Sequence, residues 1–275
     1  MKKKFLFFSM IITATFILTS LFGKGLVNNF LIKETAISYS FETIKRVQIK
    51  KGDYIIFGSY LNEPILWLVV DIIDKKPLIQ TEYVIALKSF DAAHGNSGDI
   101  GQLGEAQWET STLKKWLNSK EFVDYGKNPP CKEKVFQGYN NYEKEKGFLS
   151  ENNFTVAQTE SITNDGIFIL SKNEIKKYFD TSYCKKKATK SAILQNESPY
   201  FITSSKNIWY WTSSPAGTNR TSVTTVTSAG GFYKSAAYDS LTGVCPALYL
   251  KSCDALCIFG NGSKEKPFVV KEVIE

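Results

Sequence analysis

The chain has 275 residues, 43% hydrophobic and 14% aromatic, a composition that can bury a core and excludes a disordered polymer. Its formal net charge is +7, but Lys2, Lys3, Lys4 and Lys24 carry four of those charges in an N-terminal stretch and leave +3 on the rest. So small a balance, with Arg46 and Arg220 as the only arginines, argues against nucleic acid as a partner.

Three lysines precede an uncharged apolar run from Phe5 to Gly23. This order, a positive region and then a hydrophobic one, is that of an export signal. The run is also close to the length that spans a bilayer. Residues 1–24 are expected to form a hydrophobic helix, either cleaved as a signal peptide or retained as an anchor that makes the membrane a partner. The lysine asymmetry places the remainder outside the cytoplasm. Residues 25–44 read as a linker and 45–270 as one globular domain.

Within that domain, Val47–Ile49, Tyr54–Tyr60, Ile65–Ile73 and Pro77–Val84 read as strands, rich in Ile, Val and aromatics and punctuated by Gly52, Gly58 and Pro64. Asp91 to Gly104 is a glycine-rich loop holding His94, the only histidine. Thr110 or Ser111 can cap a short helix whose Leu113, Trp116 and Leu117 share one face. Residues 126–153 are polar and read as a surface insertion. A strand is expected at Gly166–Leu170. Ser171 and Glu174 then form a capping box for a second helix, with Ile175, Tyr178 and Phe179 as its apolar stripe. Strands return at Ile208–Ser213, Ser222–Thr227, Phe232–Ala236, Val244–Leu250 and Pro267–Val270, the second and third joined at Ala229-Gly230-Gly231 as a hairpin. Strands, two helices and strands again predict an α+β fold with an antiparallel sheet.

The catalytic inventory is thin. One histidine excludes HExxH zinc hydrolysis and multi-histidine iron sites, and there is no G-x-S-x-G elbow or P-loop. No cofactor or metal is expected. The five cysteines, Cys131, Cys184, Cys245, Cys253 and Cys257, leave one unpaired within a single chain. Trp209 and Trp211 share strand parity and point to one face, with Tyr210 on the other. An aromatic face can stack on sugar rings. Trp209, Tyr210 and Trp211, with Ser214, Asn219 and Arg220 of the adjoining loop, are the candidate ligand-binding residues.

Five segments occur in a telling order: KGDYIIFGSY at 51–60, WETSTLKKWLN at 108–118, GIFILSKNEIKKYF at 166–179, YWTSSP at 210–215 and GVCPALYL at 243–250. Over about residues 45–252 they resemble DUF6273, a bacterial family known as a domain of unknown function. The resemblance implies a C-type-lectin-like fold, the architecture of formylglycine-generating enzymes and of bacterial surface binding domains. Three arginines of the family pattern are replaced here by Lys114, Thr212 and Cys245. A disulfide among Cys184, Cys245, Cys253 and Cys257, joining Cys245 to Cys184 or Cys253, could take over a structural role there. The expected function is exported, non-catalytic binding of a glycan or protein partner. The alternative is an enzyme of formylglycine-generating architecture or a cell-wall hydrolase.

Overall fold

A computed structural model of the chain describes residues 44–92, 103–123, 142, 145–182, 184–195 and 206–274. Residues 1–43 lie outside this set, and with them the expected hydrophobic helix at 5–23 and most of the linker. So do His94 and Cys131. Among the described residues no helix is long and apolar enough to cross a membrane.

The first strands are β1 (Lys45–Gln48), β2 (Tyr54–Tyr60), β3 (Glu63–Ile73), β4 (Lys76–Thr81) and β5 (Ala86–Leu87). A single 3-10 turn (Trp108–Thr110) leads into α1 (Thr112–Leu117), and α2 (Val156–Glu160) precedes β6 (Ile162–Ile169). Next come α3 (Lys172–Tyr178), β7 (Lys186–Lys187), α4 (Lys190–Leu194), β8 (Asn207–Ile208) and β9 (Tyr210–Pro215). The chain closes with β10 (Ser222–Val226), β11 (Phe232–Ala236), β12 (Gly243–Val244), β13 (Pro246–Leu250), β14 (Asp254–Cys257) and β15 (Phe268–Val273).

These strands form an eight-stranded sheet in the order β1-β14-β15-β2-β3-β4-β13-β6, a five-stranded sheet in the order β11-β10-β9-β12-β5, and the pair β7-β8. All pairings are antiparallel except β15 with β2 and β12 with β9. The expected α+β class with a single C-type-lectin-like domain is therefore corrected: this is a mostly β molecule built of several sheets. The four helices named above, among the described residues, are five to seven residues long. At one or two turns each they cannot form a layer, and they pack singly against strands: α1 and α2 against β6, α3 against β9 and α4 against β5.

Two tight turns set the register of the large sheet. Leu61 and Asn62 between β2 and β3, and Asp74 and Lys75 between β3 and β4, all have positive φ. Such paired left-handed residues match the twist of a two-residue hairpin. In β3, Ile65, Trp67 and Val69 alternate inward. In β4 both faces are covered: Leu78 and Ile79 enter two different apolar clusters. One cluster gathers Phe57, Trp67, Trp116, Phe148, Phe154 and Trp211. The other holds Leu78, Leu170, Ile175, Tyr210, Cys184 and Cys245.

The insertion expected to lie on the surface supplies core. Tyr142 and Phe148 are buried, with Phe148 5.3 Å from both Trp116 and Phe154, the residue just after the insertion. Its polar composition hid these aromatic anchors. The helix caps match expectation: Ser111 accepts from the Lys114 amide, and Ser171 and Glu174 close both arms of a capping box. The strand expected over Pro77–Val84 stops at Thr81, and β6 begins four residues before Gly166.

Candidate functional site

The hairpin β10–β11 carries the candidate surface. Its turn is closed by the Gly230 amide on the Thr227 carbonyl (2.9 Å) and the Thr227 amide on the Gly231 carbonyl (2.8 Å), with Gly230 at φ +86°. Register places Trp211, Thr225 and Tyr233 across from one another, and Tyr210, Val226 and Phe232 likewise. Alternation then sends the two sets to opposite faces.

Trp211 enters one core, 5.7 Å from Phe90, and its Nε1 donates to the Lys88 carbonyl at 2.8 Å. Tyr210 enters the other, its hydroxyl donating to the Cys184 carbonyl at 2.8 Å. Both sheet faces are thus covered at these residues. Two residues earlier the cover ends. Trp209 is 38% exposed and stands edge-on to Tyr233, itself 58% exposed, with ring centroids 5.6 Å apart.

The structure divides the six expected ligand residues. Tyr210 and Trp211 are core. Ser214 accepts the Lys172 amide at 3.0 Å and supports the start of α3. Asn219 accepts the Thr221 amide and hydroxyl, both at 2.9 Å, in a local turn. Exposed Arg220 lies 3.5 Å from Glu105. Asn219 and Arg220 sit beyond the Pro215–Val223 pair, whereas Trp209 adjoins the Tyr210–Val226 pair at the other end of the hairpin. Only Trp209 is available to a ligand together with a second ring. The sequence reading missed Tyr233, Phe232, Lys172 and Lys176. The two ammonium groups lie 5.5 and 5.7 Å from the Phe232 ring centroid. Hairpin alternation already put Tyr233 on the face of Trp211; nothing in the sequence showed where that face ran out of cover.

Two buried polar clusters lie behind this surface. Val84 to Ala92 is buried at every residue. Its amides are met from far along the chain: Ile85 by the Val244 carbonyl, Leu87 by Gln195 Oε1, Lys88 by the Thr242 carbonyl and Asp91 by the Ala237 carbonyl. A buried irregular segment must find such partners or lose stability. Asp91 accepts the Thr112 amide and hydroxyl and the Glu105 amide, at 2.8–2.9 Å. The Lys88 ammonium pairs with Glu145 and lies 4.4 Å from the Trp116 ring and 4.7 Å from that of Tyr142. Tyr60 donates to the same Glu145 oxygen at 2.8 Å and accepts from Gln195 Nε2 at 2.8 Å. Burial holds the Lys88 pKa below the usual lysine value, with Glu145 pulling against it. Burial raises Tyr60 and Tyr142. Tyr60 also lines a cavity of about 100 Å³ with Glu63, Pro64, Ile65, Tyr83 and Thr189.

The second cluster surrounds Lys186, whose ammonium donates to the Thr81 carbonyl at 2.7 Å. Burial lowers its pKa, while Cys245, Glu82 and Cys184 act on it in the opposite sense. Burial pushes the Cys245 thiol up to about 12 and Cys257 to about 11. Cys184, Cys245, Cys253 and Cys257 are free thiols and no bridge joins them. Cys184 and Cys245 share one apolar cluster, Cys257 belongs to the other, and the Cys253 thiol donates to the Lys75 carbonyl near the surface. Lys186, from β7, brings a cation to the neighbourhood of Cys245.

Among the described residues no group of three or more His, Cys, Asp or Glu is arranged to hold a metal ion. A family model described as a domain of unknown function, DUF6273, matches residues 74–252. The match begins in the β3–β4 turn, so the KGDYIIFGSY segment falls outside it. No curated protein and no solved structure matches the chain.

Proposed function

The chain belongs to the DUF6273 family, and from that premise we propose that it is an exported, non-catalytic binding module whose ligand surface is the turn end of the β10–β11 hairpin. One observation carries this reading: Trp209 and Tyr233 hold two large rings edge to face outside both apolar clusters. Exposed aromatic pairs of this kind offer apolar area at low cost in side-chain entropy and are favoured at binding surfaces. Export rests on the sequence: three lysines and an uncharged run over residues 5–23 direct the rest of the chain across a membrane. The test is a binding panel of glycans, peptidoglycan fragments and peptides presented to the full chain. A ligand should be retained, and Trp209→Ala and Tyr233→Ala should each weaken it while costing about 1 kcal/mol of stability or less. If every ligand found binds both variants at full strength, the surface is misassigned.

A second reading, an enzyme, draws on Tyr60, which lines the small cavity, and on Lys88, joined to it through Glu145. Ionisable groups of shifted pKa next to a cavity are a usual mark of catalysis. Here, however, the Lys88 side chain has 0% exposure and its ammonium is enclosed by Glu145, Trp116 and Tyr142. A substrate in the cavity would meet Tyr60 and not the amine. The cluster is better read as the polar fastening of Tyr142 and Glu145 to the core.

A further inference from the structure

We propose that β11 is a docking edge for an extended acidic peptide, which joins the five-stranded sheet as an additional strand beyond β11. The proposal rests on the binding-surface reading and names the partner class for it.

The hydrogen-bond pattern of the hairpin fixes which groups are on offer. The Thr227 amide bonds the Gly231 carbonyl, and the Ala237 amide bonds the Thr221 carbonyl. With the register Val226–Phe232, Thr225–Tyr233, Thr224–Lys234, Val223–Ser235 and Ser222–Ala236, hydrogen-bonded pairs alternate with non-bonded ones. Tyr233 and Ser235 therefore turn their amides and carbonyls toward β10. Phe232 and Lys234 turn theirs away, and among the described residues no strand lies on that side. Ala236 uses its carbonyl on the Asp239 amide. The edge thus presents the amides and carbonyls of Phe232 and Lys234, the spacing an added antiparallel strand would pair with.

The two faces of that edge differ. On one, Phe232 and Lys234 project together, and the Lys172 and Lys176 ammonium groups flank the Phe232 ring. On the other stand Tyr233 and Trp209. A peptide pairing here would alternate accordingly: acidic side chains toward the three lysines, and an apolar one between them toward the aromatic pair. Lysine on an edge strand commonly serves to prevent edge-to-edge association. The same charges repel a second copy of β11 and attract an acidic strand, so they select the partner as well as blunting the edge.

The probe is a fluorescent peptide alternating glutamate with valine, titrated against the full chain, beside a control with lysine in place of glutamate. The glutamate peptide should bind and weaken as salt rises, and the lysine peptide should not. Lys234→Pro removes an amide that faces away from β10, leaving the β10 ladder intact. It should bind at least roughly tenfold more weakly than Lys234→Ala, which removes the charge alone. Lys172→Gln with Lys176→Gln should lower both affinity and salt dependence. The same peptide N-methylated at alternate residues asks the backbone question with the native chain and should not bind. Equal binding to Lys234→Pro and Lys234→Ala, equal binding of the N-methylated peptide, or no binding of the glutamate peptide, would each overturn the proposal. If the peptide fails while a glycan binds in a Trp209-dependent way, the peptide edge is wrong and the binding surface stands. If Trp209→Ala and Tyr233→Ala leave every ligand unaffected, the surface itself falls.

Discussion

Three consecutive aromatic residues take three different environments. Trp211 is packed against Phe90 and bonds the Lys88 carbonyl, so Trp211→Ala should cost about 3–5 kcal/mol. Trp209→Ala removes a half-exposed ring and should cost about 1 kcal/mol or less in urea denaturation. Buried charge sets the pH response. Lys88 and Lys186 have pKa values lowered from 10.5 by burial. Between the lowered values and 10.5 the unfolded chain binds more protons than the folded one, so stability rises with pH across that window. Burial also raises Tyr60, Tyr142 and Tyr210 above the ordinary tyrosine value of 10.0. Above about pH 10 the unfolded chain releases phenolic protons first, and stability falls. The buried thiols act in the same sense from their ordinary value of 9.0, so denaturation midpoints measured under reducing conditions through the alkaline range should pass through a maximum near pH 9. Lys186→Met should reduce the rise on its acid side; an unchanged rise would remove Lys186 from this account.

Local chemistry and distant packing contribute differently to each element. In α3 the capping box is complete in the sequence, and the helix begins where Ser171 and Glu174 say it must. In the β10–β11 hairpin the turn residues are equally legible, but the turn also packs on the segment after α3. A Cβ on Gly230 would lie 2.3 Å from the Thr181 carbonyl oxygen, at a φ of +86°. Gly230→Ala should then cost at least about 2 kcal/mol, more than the 1–2 kcal/mol of left-handed strain by itself. A thermal melt that shifts by no more than that of Gly217→Ala, where the added Cβ has open space, would show that the Thr181 contact yields freely. Residues 84–92 were the least legible stretch. Their amides are satisfied by β12, the residues around it and α4, none of which is near in sequence, and only tertiary structure makes such a segment tolerable inside a core.

At the scale of the molecule, the family match spans residues 74–252, yet the eight-stranded sheet also draws on β1, β2, β3, β14 and β15 from outside it. β15 pairs with β2 in parallel, joining the two ends of the domain. Export belongs to this scale too. Tagged full-length chain should fractionate with the membrane or the medium and be digested by protease added to intact cells. A chain lacking residues 1–24 should remain in the cytosol. Full-length chain found soluble in the cytosol would contradict the export proposal.

The sequence by itself determined the strands of β2, β3 and the β10–β11 hairpin, the caps of α1 and α3, and the parity that separates Tyr210 from Trp211. Each depends on residues within a few positions of one another, where period and turn chemistry decide the outcome. Only the tertiary structure decided that both faces of β9 are buried at Tyr210 and Trp211, that Tyr142 and Phe148 complete the core, and that Trp209 meets Tyr233 in the open. Those outcomes depend on which element covers which, and cover is supplied by residues remote in the chain.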